Sequence, residues 1–352
     1  MRLKSVYPLM KLVSICCVLI GITSSAMAQV GGRGVYDFLN VQAAPRLSAL
    51  GSNPVPIFDQ DPNIGFYLPS QLSYKMDRHL AFNYVNYFSD INIGQVNYAR
   101  SIDSAKTMSF GLLYTNYGKF DRYDEGGNSE GTFNAADYAL QFGYGKRWNR
   151  WSAGLNSKFI LSQLESYVST GLAFDGSLSY TADSGLFTSS LLFRNAGFQL
   201  TSYNGTRENL PFEVQMAFSH KLKHAPFRLI MVLHHLNVWE IAYINTNDRT
   251  RTLSFDNADQ EERIGFGDNL FRHMILATEM VFSPNFMLRA SYNHQRRQEM
   301  TWTDAKGLAG FNFGVGIKIK RLRFDYSSAS FFPGKSGHSF ALTLNLREFK
   351  KK

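Results

Sequence analysis

The chain has almost no cysteine. Of its 352 residues only Cys16 and Cys17 carry a thiol, and both fall near the start. Beyond them no disulfide, thiolate metal site or cysteine nucleophile can form. After residue 28 there is also no apolar run of about 18 residues, which excludes a membrane-spanning helix. Charge of one sign is not concentrated. Lys+Arg number 37 and Asp+Glu 28, for a formal net charge of +9, and no basic block is long enough to argue for nucleic acid. Catalytic signatures are missing too. No H-E-x-x-H and no Ser-x-x-Lys occurs. Gly334-Lys335-Ser336 resembles the end of a phosphate-binding loop, but the motif's first glycine would fall at Ala329, between two expected strands. Ser291 and His294 are three apart on an expected strand, hence on opposite faces, and make a poor nucleophile–base pair. These absences point to a non-catalytic protein without a cofactor.

Residues 1–28 read as a targeting segment. Arg2, Lys4 and Lys11 form a positive start, Leu12 to Ile22 is apolar, and Ala26-Met27-Ala28 is a small-residue cleavage site before Gln29. The apolar run is too short to cross a bilayer as a helix. Removing it leaves a mildly basic remainder, which suits solvated loops, a polar lumen or contact with anionic lipopolysaccharide.

What the chain has in quantity is alternation. About fourteen segments place an apolar side chain at every second position, the pattern of a strand with one oily and one polar face. In 311–319, Phe311, Phe313, Val315, Ile317 and Ile319 alternate with Asn312, Gly314, Gly316 and Lys318. The expected strands are 79–88, 91–100, 107–117, 135–146, 150–163, 169–181, 185–195, 212–222, 226–236, 272–282, 286–296, 309–320, 322–331 and 338–348. Phe and Tyr number 29 and 18, an excess that interfacial aromatic girdles would explain. An even number of such strands behind a targeting segment predicts an all-β, 14-stranded antiparallel transmembrane β-barrel, with lipid outside and a polar lumen. A final strand ending near Phe349 fits a barrel.

The connections sort by length. With the N-terminus in the periplasm, Trp148-Asn149, Ala182-Asp183-Ser184, Lys223-His224-Ala225, Ser283-Pro284-Asn285 and Arg321 are short periplasmic turns. The segments 118–134, 196–211, 237–271 and 297–308 are then long external loops, as in outer-membrane barrels. Residues 29–78 do not alternate. Pro45, Pro54, Pro56, Pro62 and Pro69 break helices and central strands, with room for a short helix around Pro45–Gly51. This stretch reads as an irregular plug or cap. Three parts follow: a signal segment 1–28, a plug or cap 29–78, and a barrel 79–349.

Candidate ligand sites are sparse. His234 and His235 sit on opposite faces of an expected strand and cannot hold one metal together, and His273 and His294 have no spaced partner. The acidic run Asp121–Glu130 has oxygen ligands and glycines but lacks the fixed calcium-loop pattern, so it reads as solvated loop. The long connection 237–271 carries Trp239, Tyr243, Arg249, Arg251 and Arg263, side-chain types that anchor protein interfaces. These are the candidate partner-binding residues.

Val30-Gly31-Gly32-Arg33-Gly34-Val35-Tyr36-Asp37-Phe38-Leu39, followed by Ala44-Pro45-Arg46-Leu47 and Ala49-Leu50-Gly51, resembles the N-terminus of the PorQ family. These are outer-membrane proteins of the Bacteroidetes type IX secretion system, similar to PorV and more distantly to FadL-type transporters. The resemblance implies a FadL-like 14-stranded barrel with an N-terminal plug, in which Tyr36, Asp37, Phe38, Leu39 and Arg46 belong to the plug motif. It also implies a non-catalytic role: holding a PorZ-like partner at the cell surface, with PorU and PorV-like components, in a complex that joins secreted cargo to anionic lipopolysaccharide. Related barrels carry Asn-Pro-Ala or Asn-Pro-Ser before the first strand, where this chain has Leu68-Pro69-Ser70. The other readings are a FadL-like channel for small hydrophobic molecules and a soluble periplasmic β-sandwich enzyme.

Overall fold

A computed structural model describes residues 34–242, 265–300, 307–332 and 335–349. Fourteen strands follow one another around a closed barrel, every neighbouring pair antiparallel. They are β1 (His79–Asn86), β2 (Asn92–Ser101), β3 (Lys106–Tyr123), β4 (Ser129–Trp148), β5 (Trp151–Leu164), β6 (Tyr167–Thr181) and β7 (Phe187–Thr201). The second half comprises β8 (Glu213–Lys221), β9 (Phe227–Leu233), β10 (Met274–Ser283), β11 (Phe286–Asn293), β12 (Phe311–Ile319), β13 (Leu322–Phe332) and β14 (Lys335–Asn345). Closure pairs β1 with β14, from His79 opposite Asn345 to Asn86 opposite His338, so the sheet keeps no free edge.

The alternation seen in the sequence becomes inside and outside. In β4, Leu140 is 60% exposed while Ala139 and Gln141 on either side are buried. Leu155, Phe110, Leu229, Phe313 and Phe340 are likewise exposed on the outer surface. A soluble protein does not display so continuous an apolar face, whereas a lipid-facing barrel wall requires one. Aromatic pairs gather near both ends: Trp151 against Tyr180 at 5.2 Å and Phe282 against Phe286 at 5.9 Å at one, Tyr114 against Tyr138 at 4.8 Å and Tyr326 against Phe340 at 5.2 Å at the other.

At one end the connections 102–105, 149–150, 182–186, 222–226, 284–285 and 320–321 are all short. The tightest use left-handed backbone, as at Asn149 (φ 52°), which two-residue hairpins need. The long connections 202–212, 234–273 and 294–310 lie at the other end. One expected loop is not a loop. In 118–134, β3 and β4 keep pairing beyond the barrel, with Phe120 opposite Phe133 and Arg122 opposite Gly131. Only a turn at 124–128 interrupts them, closed by Asp124, whose carboxylate accepts from the Asn128 backbone and side-chain amides. The polar composition that suggested a loop reflects a solvated ribbon without an oily face. The last strand also stops earlier than expected, at Asn345, and Leu346–Phe349 form a single 3-10 turn.

Residues 34–78 fill the barrel. They contain the short helices Pro45–Ala49 and Pro62–Tyr67 and three 3-10 turns. The prolines sit where the sequence allows them: Pro45 and Pro62 each open a helix, where no N–H is needed. Leu47, Leu50, Val55, Ile57 and Ile64 are at most 1% exposed and pack on inward-facing Ile93, Ile160, Ile230 and Ile275. The lumen is therefore less polar than expected. Where the plug presents hydrocarbon the wall answers with hydrocarbon, because this interior is a packed core and not a water channel.

Candidate functional site

The deepest polar feature joins plug to wall. Arg46 follows Pro45 in the first turn of the helix Pro45–Ala49 and reaches the lumen side of β10. Its guanidinium grips Glu279 with two bonds, Nε to Oε1 at 2.9 Å and Nη2 to Oε2 at 3.0 Å. Its Nη1 reaches Asp59 at 2.6 Å and Asp61 at 3.3 Å. Glu279 also accepts from Arg228 and, at 3.0 Å, from Arg289. Arg289 donates on to Asp325 at 2.7 Å, and Asp325 accepts from Arg323, also at 2.7 Å. The network thus holds four arginines (46, 228, 289, 323) and four carboxylates (59, 61, 279, 325), and is neutral as a whole. All four acceptor directions of Glu279 are used, which is what a wholly buried carboxylate needs to stay ionised.

The charges on the plug side respond to this setting. Burial would strip a proton from Arg46, but Asp59, Glu279 and Asp61 more than offset it and hold the guanidinium well above its usual range. Burial likewise opposes ionisation of Asp59, and Arg46, Arg323 and Arg228 overcome it, holding the carboxyl below its ordinary value.

On the opposite side the plug meets a wall of small side chains. A Cβ on Gly154 would lie 2.3 Å from the Pro69 carbonyl carbon, and one on Gly111 would lie 2.4 Å from the Phe66 ring. Ser70 bonds to Ser177 through its N–H at 2.8 Å and to Ser179 through its hydroxyl at 2.6 Å. Gln141 and Asn156 both donate to the Phe66 carbonyl. Between Asn40–Gln42, Val85, Ala329 and Ser339 a cavity of about 190 Å³ remains; the amide of Gln42, one of its lining residues, is buried and has no hydrogen-bond partner among the described residues.

The other plug-motif residues are structural. Tyr36 adopts a left-handed conformation (φ 65°) and its hydroxyl bonds Ser169 at 2.5 Å. Asp37 opens the 3-10 turn Asp37–Asn40, Phe38 and Leu39 are buried within it, and the Leu39 carbonyl accepts from Arg194 at 2.9 Å.

Of the expected partner-binding residues, Tyr243, Arg249, Arg251 and Arg263 lie outside the described residues. Trp239 is 49% exposed and stacks on His273 at 5.4 Å, beside Phe266. Its carbonyl accepts from Asn269 at 2.6 Å and pairs with His273 Nε2 at 3.0 Å.

The expectation for His234 and His235 is overturned. β9 ends at Leu233, and His235 takes a left-handed conformation (φ 54°) that breaks the strand's alternation. The two rings approach to 4.8 Å between centroids. Glu213, at the start of β8, joins them: one ligand atom from each of the three residues lies within 4.8 Å of the others.

Sequence reasoning missed Asp59, Asp61, Arg228, Glu279, Arg289, Arg323 and Asp325. The available signal was charge at lumen-facing strand positions, as at Glu279 within Met274–Ser283.

No family model matches the chain, and no curated protein matches it. Solved structures do. The Pseudomonas putida toluene transporter TodX superposes with a TM-score of 0.53 at 10% identity, over 87% of this chain and 99% of that one. A second TodX structure gives 0.50 at 10% identity, over 84% and 95%. The shared property is the fold, which in this chain is a closed antiparallel barrel of fourteen strands.

Proposed function

We propose that this protein is a non-catalytic outer-membrane barrel that anchors a partner protein at the cell surface through its long-loop end. The observation carrying this reading is the plug. It is tied to the wall by a neutral eight-membered ion network on one side and packed against glycine on the other, so the barrel is a solid scaffold. The short-turn end faces the periplasm, as in outer-membrane barrels generally. The resemblance of residues 30–51 to the PorQ family gives the partner its chemistry: a PorZ-like surface protein of a type IX attachment complex that also holds PorU and PorV-like components. Half-exposed Trp239 lies at the base of the connection that would dock it. Shortening the connections 202–212 and 234–273 and trimming the β3–β4 ribbon should release the partner from cells while the barrel still inserts. Full retention of the partner by such a variant overturns the proposal.

A second reading is favoured by the cavity of about 190 Å³ beside the plug. A cavity of about 150 Å³ lined by apolar side chains holds a benzene ring; this one offers Val41, Val85 and Ala329 beside polar Asn40, Gln42 and Ser339, and TodX is described as a toluene transporter. On this reading the protein admits small hydrophobic molecules. Filling the cavity with Val85→Trp should then abolish uptake of monoaromatics into liposomes, whereas an anchor shows no uptake in either form.

A further inference from the structure

We propose that Glu213, His234 and His235 form a divalent-metal site, of the zinc class, at the long-loop end of the barrel. The three residues come from the two strand ends that frame the opening, the start of β8 and the exit of β9. One ligand atom from each lies within 4.8 Å of the others. Four-coordinate zinc with bonds of about 2.0–2.2 Å needs its ligands somewhat closer, by an adjustment that side-chain torsions supply.

A second observation points the same way. His234 is only 2% exposed, and among the described residues its Nε2 has no hydrogen-bond partner. A buried ring nitrogen without a partner costs free energy, and a metal bond would remove that cost. The left-handed backbone at His235 is what turns adjacent histidines to one side. Two imidazoles and a carboxylate are a donor set for zinc, or for copper or nickel, and not for calcium or magnesium. The surroundings oppose binding in one respect: Glu213 Oε2 already pairs with Arg194 at 3.3 Å. Oε1, which among the described residues receives only a long 3.4 Å contact from the His235 N–H, is the oxygen left for a metal. His273 is not a ligand in this arrangement, since its nitrogens face the carbonyls of His234 and Trp239.

The site has a structural consequence. Arg194 links Glu213 to the plug carbonyl of Leu39, and the His234 and His235 backbones begin the connection that carries Trp239. A bound metal would therefore brace the loop base against the wall beside the plug.

The test uses the whole protein purified in mild detergent, stripped with EDTA and titrated with Zn²⁺ against a chromophoric chelator. One equivalent should bind. His235→Gln, which alters a partly exposed residue, and His234→Gln should each weaken binding at least tenfold. His220→Gln, on the same β8 strand but away from the cluster, should leave it unchanged. Co²⁺ should give imidazole-dependent visible bands that His235→Gln removes. Retained β-sheet circular dichroism in each variant separates lost ligands from lost folding. Absence of stoichiometric zinc, or zinc binding indifferent to both histidine substitutions, overturns the proposal.

Discussion

Two sides of one lumen hold the same plug by opposite means. Toward β9–β13 the contact is ionic, with Glu279 wholly buried among Arg46, Arg228 and Arg289. Toward β3–β6 it is made mostly by uncharged groups: Gly111 and Gly154 leave room for Phe66 and Pro69, the Ser177 hydroxyl accepts from the Ser70 N–H, the Ser179 hydroxyl bonds the Ser70 hydroxyl, and one cation, the Arg147 guanidinium, lies over the Phe58 ring. The difference teaches how a barrel interior treats desolvation. A charge taken out of water must meet a full set of counter-charges. A backbone turn taken out of water needs only hydrogen bonds and space. The ionic side fixes which residue faces which; the glycine side fixes how close the chains come.

The sharpest way to break this contrast is Glu279→Gln. It leaves the buried guanidiniums of Arg46 and Arg289 and the partly buried one of Arg228 short of an anion and should cost about 3–5 kcal/mol, the scale for removing one partner of a buried pair. Urea unfolding of the purified barrel should show a lowered midpoint, with new proteolysis of the plug near Arg46. An unchanged midpoint would mean that the neutral side alone retains the plug. Next in size is Gly154→Val. The added carbons collide with the Pro69 carbonyl, and such overpacking costs about 1–3 kcal/mol. The barrel should still form, while plug residues 66–72 become protease-sensitive. The smallest effect is expected at Arg150 and Asp183, which pair across two turns at the short-turn end but are 53% and 65% exposed. Asp183→Ala should shift stability by less than about 1 kcal/mol. A loss matching that of Glu279→Gln would sink the idea that burial sets the value of these ion pairs.

Much of this architecture is legible in the order of residues alone. Lipid-facing and lumen-facing residues alternate along most of the wall, so Leu140 between Ala139 and Gln141 already reads as a wall position. Strand number and the placement of the long connections follow from the same rule. The plug's helix near Pro45 is legible because proline favours the first turn. Three things are not. The β3–β4 ribbon projects into solvent, and its polar residues carry no oily stripe to announce a strand. The Glu279 network gathers residues 46, 59, 61, 228, 289, 323 and 325, whose meeting depends on the curvature of a closed sheet. His234 and His235 need the end of β9 and one left-handed residue to come together.

Residue order alone specifies a fourteen-stranded barrel with an oily exterior and a proline-rich segment before the first strand. Periodicity is local, and a period of two dictates the face of each side chain wherever the strand runs. What the lumen contains depends on the closed fold. Which charges find counter-charges, which glycines admit the plug and which histidines share a carboxylate are contacts between residues far apart in the chain. They are chosen by closure of the sheet around its own N-terminal segment.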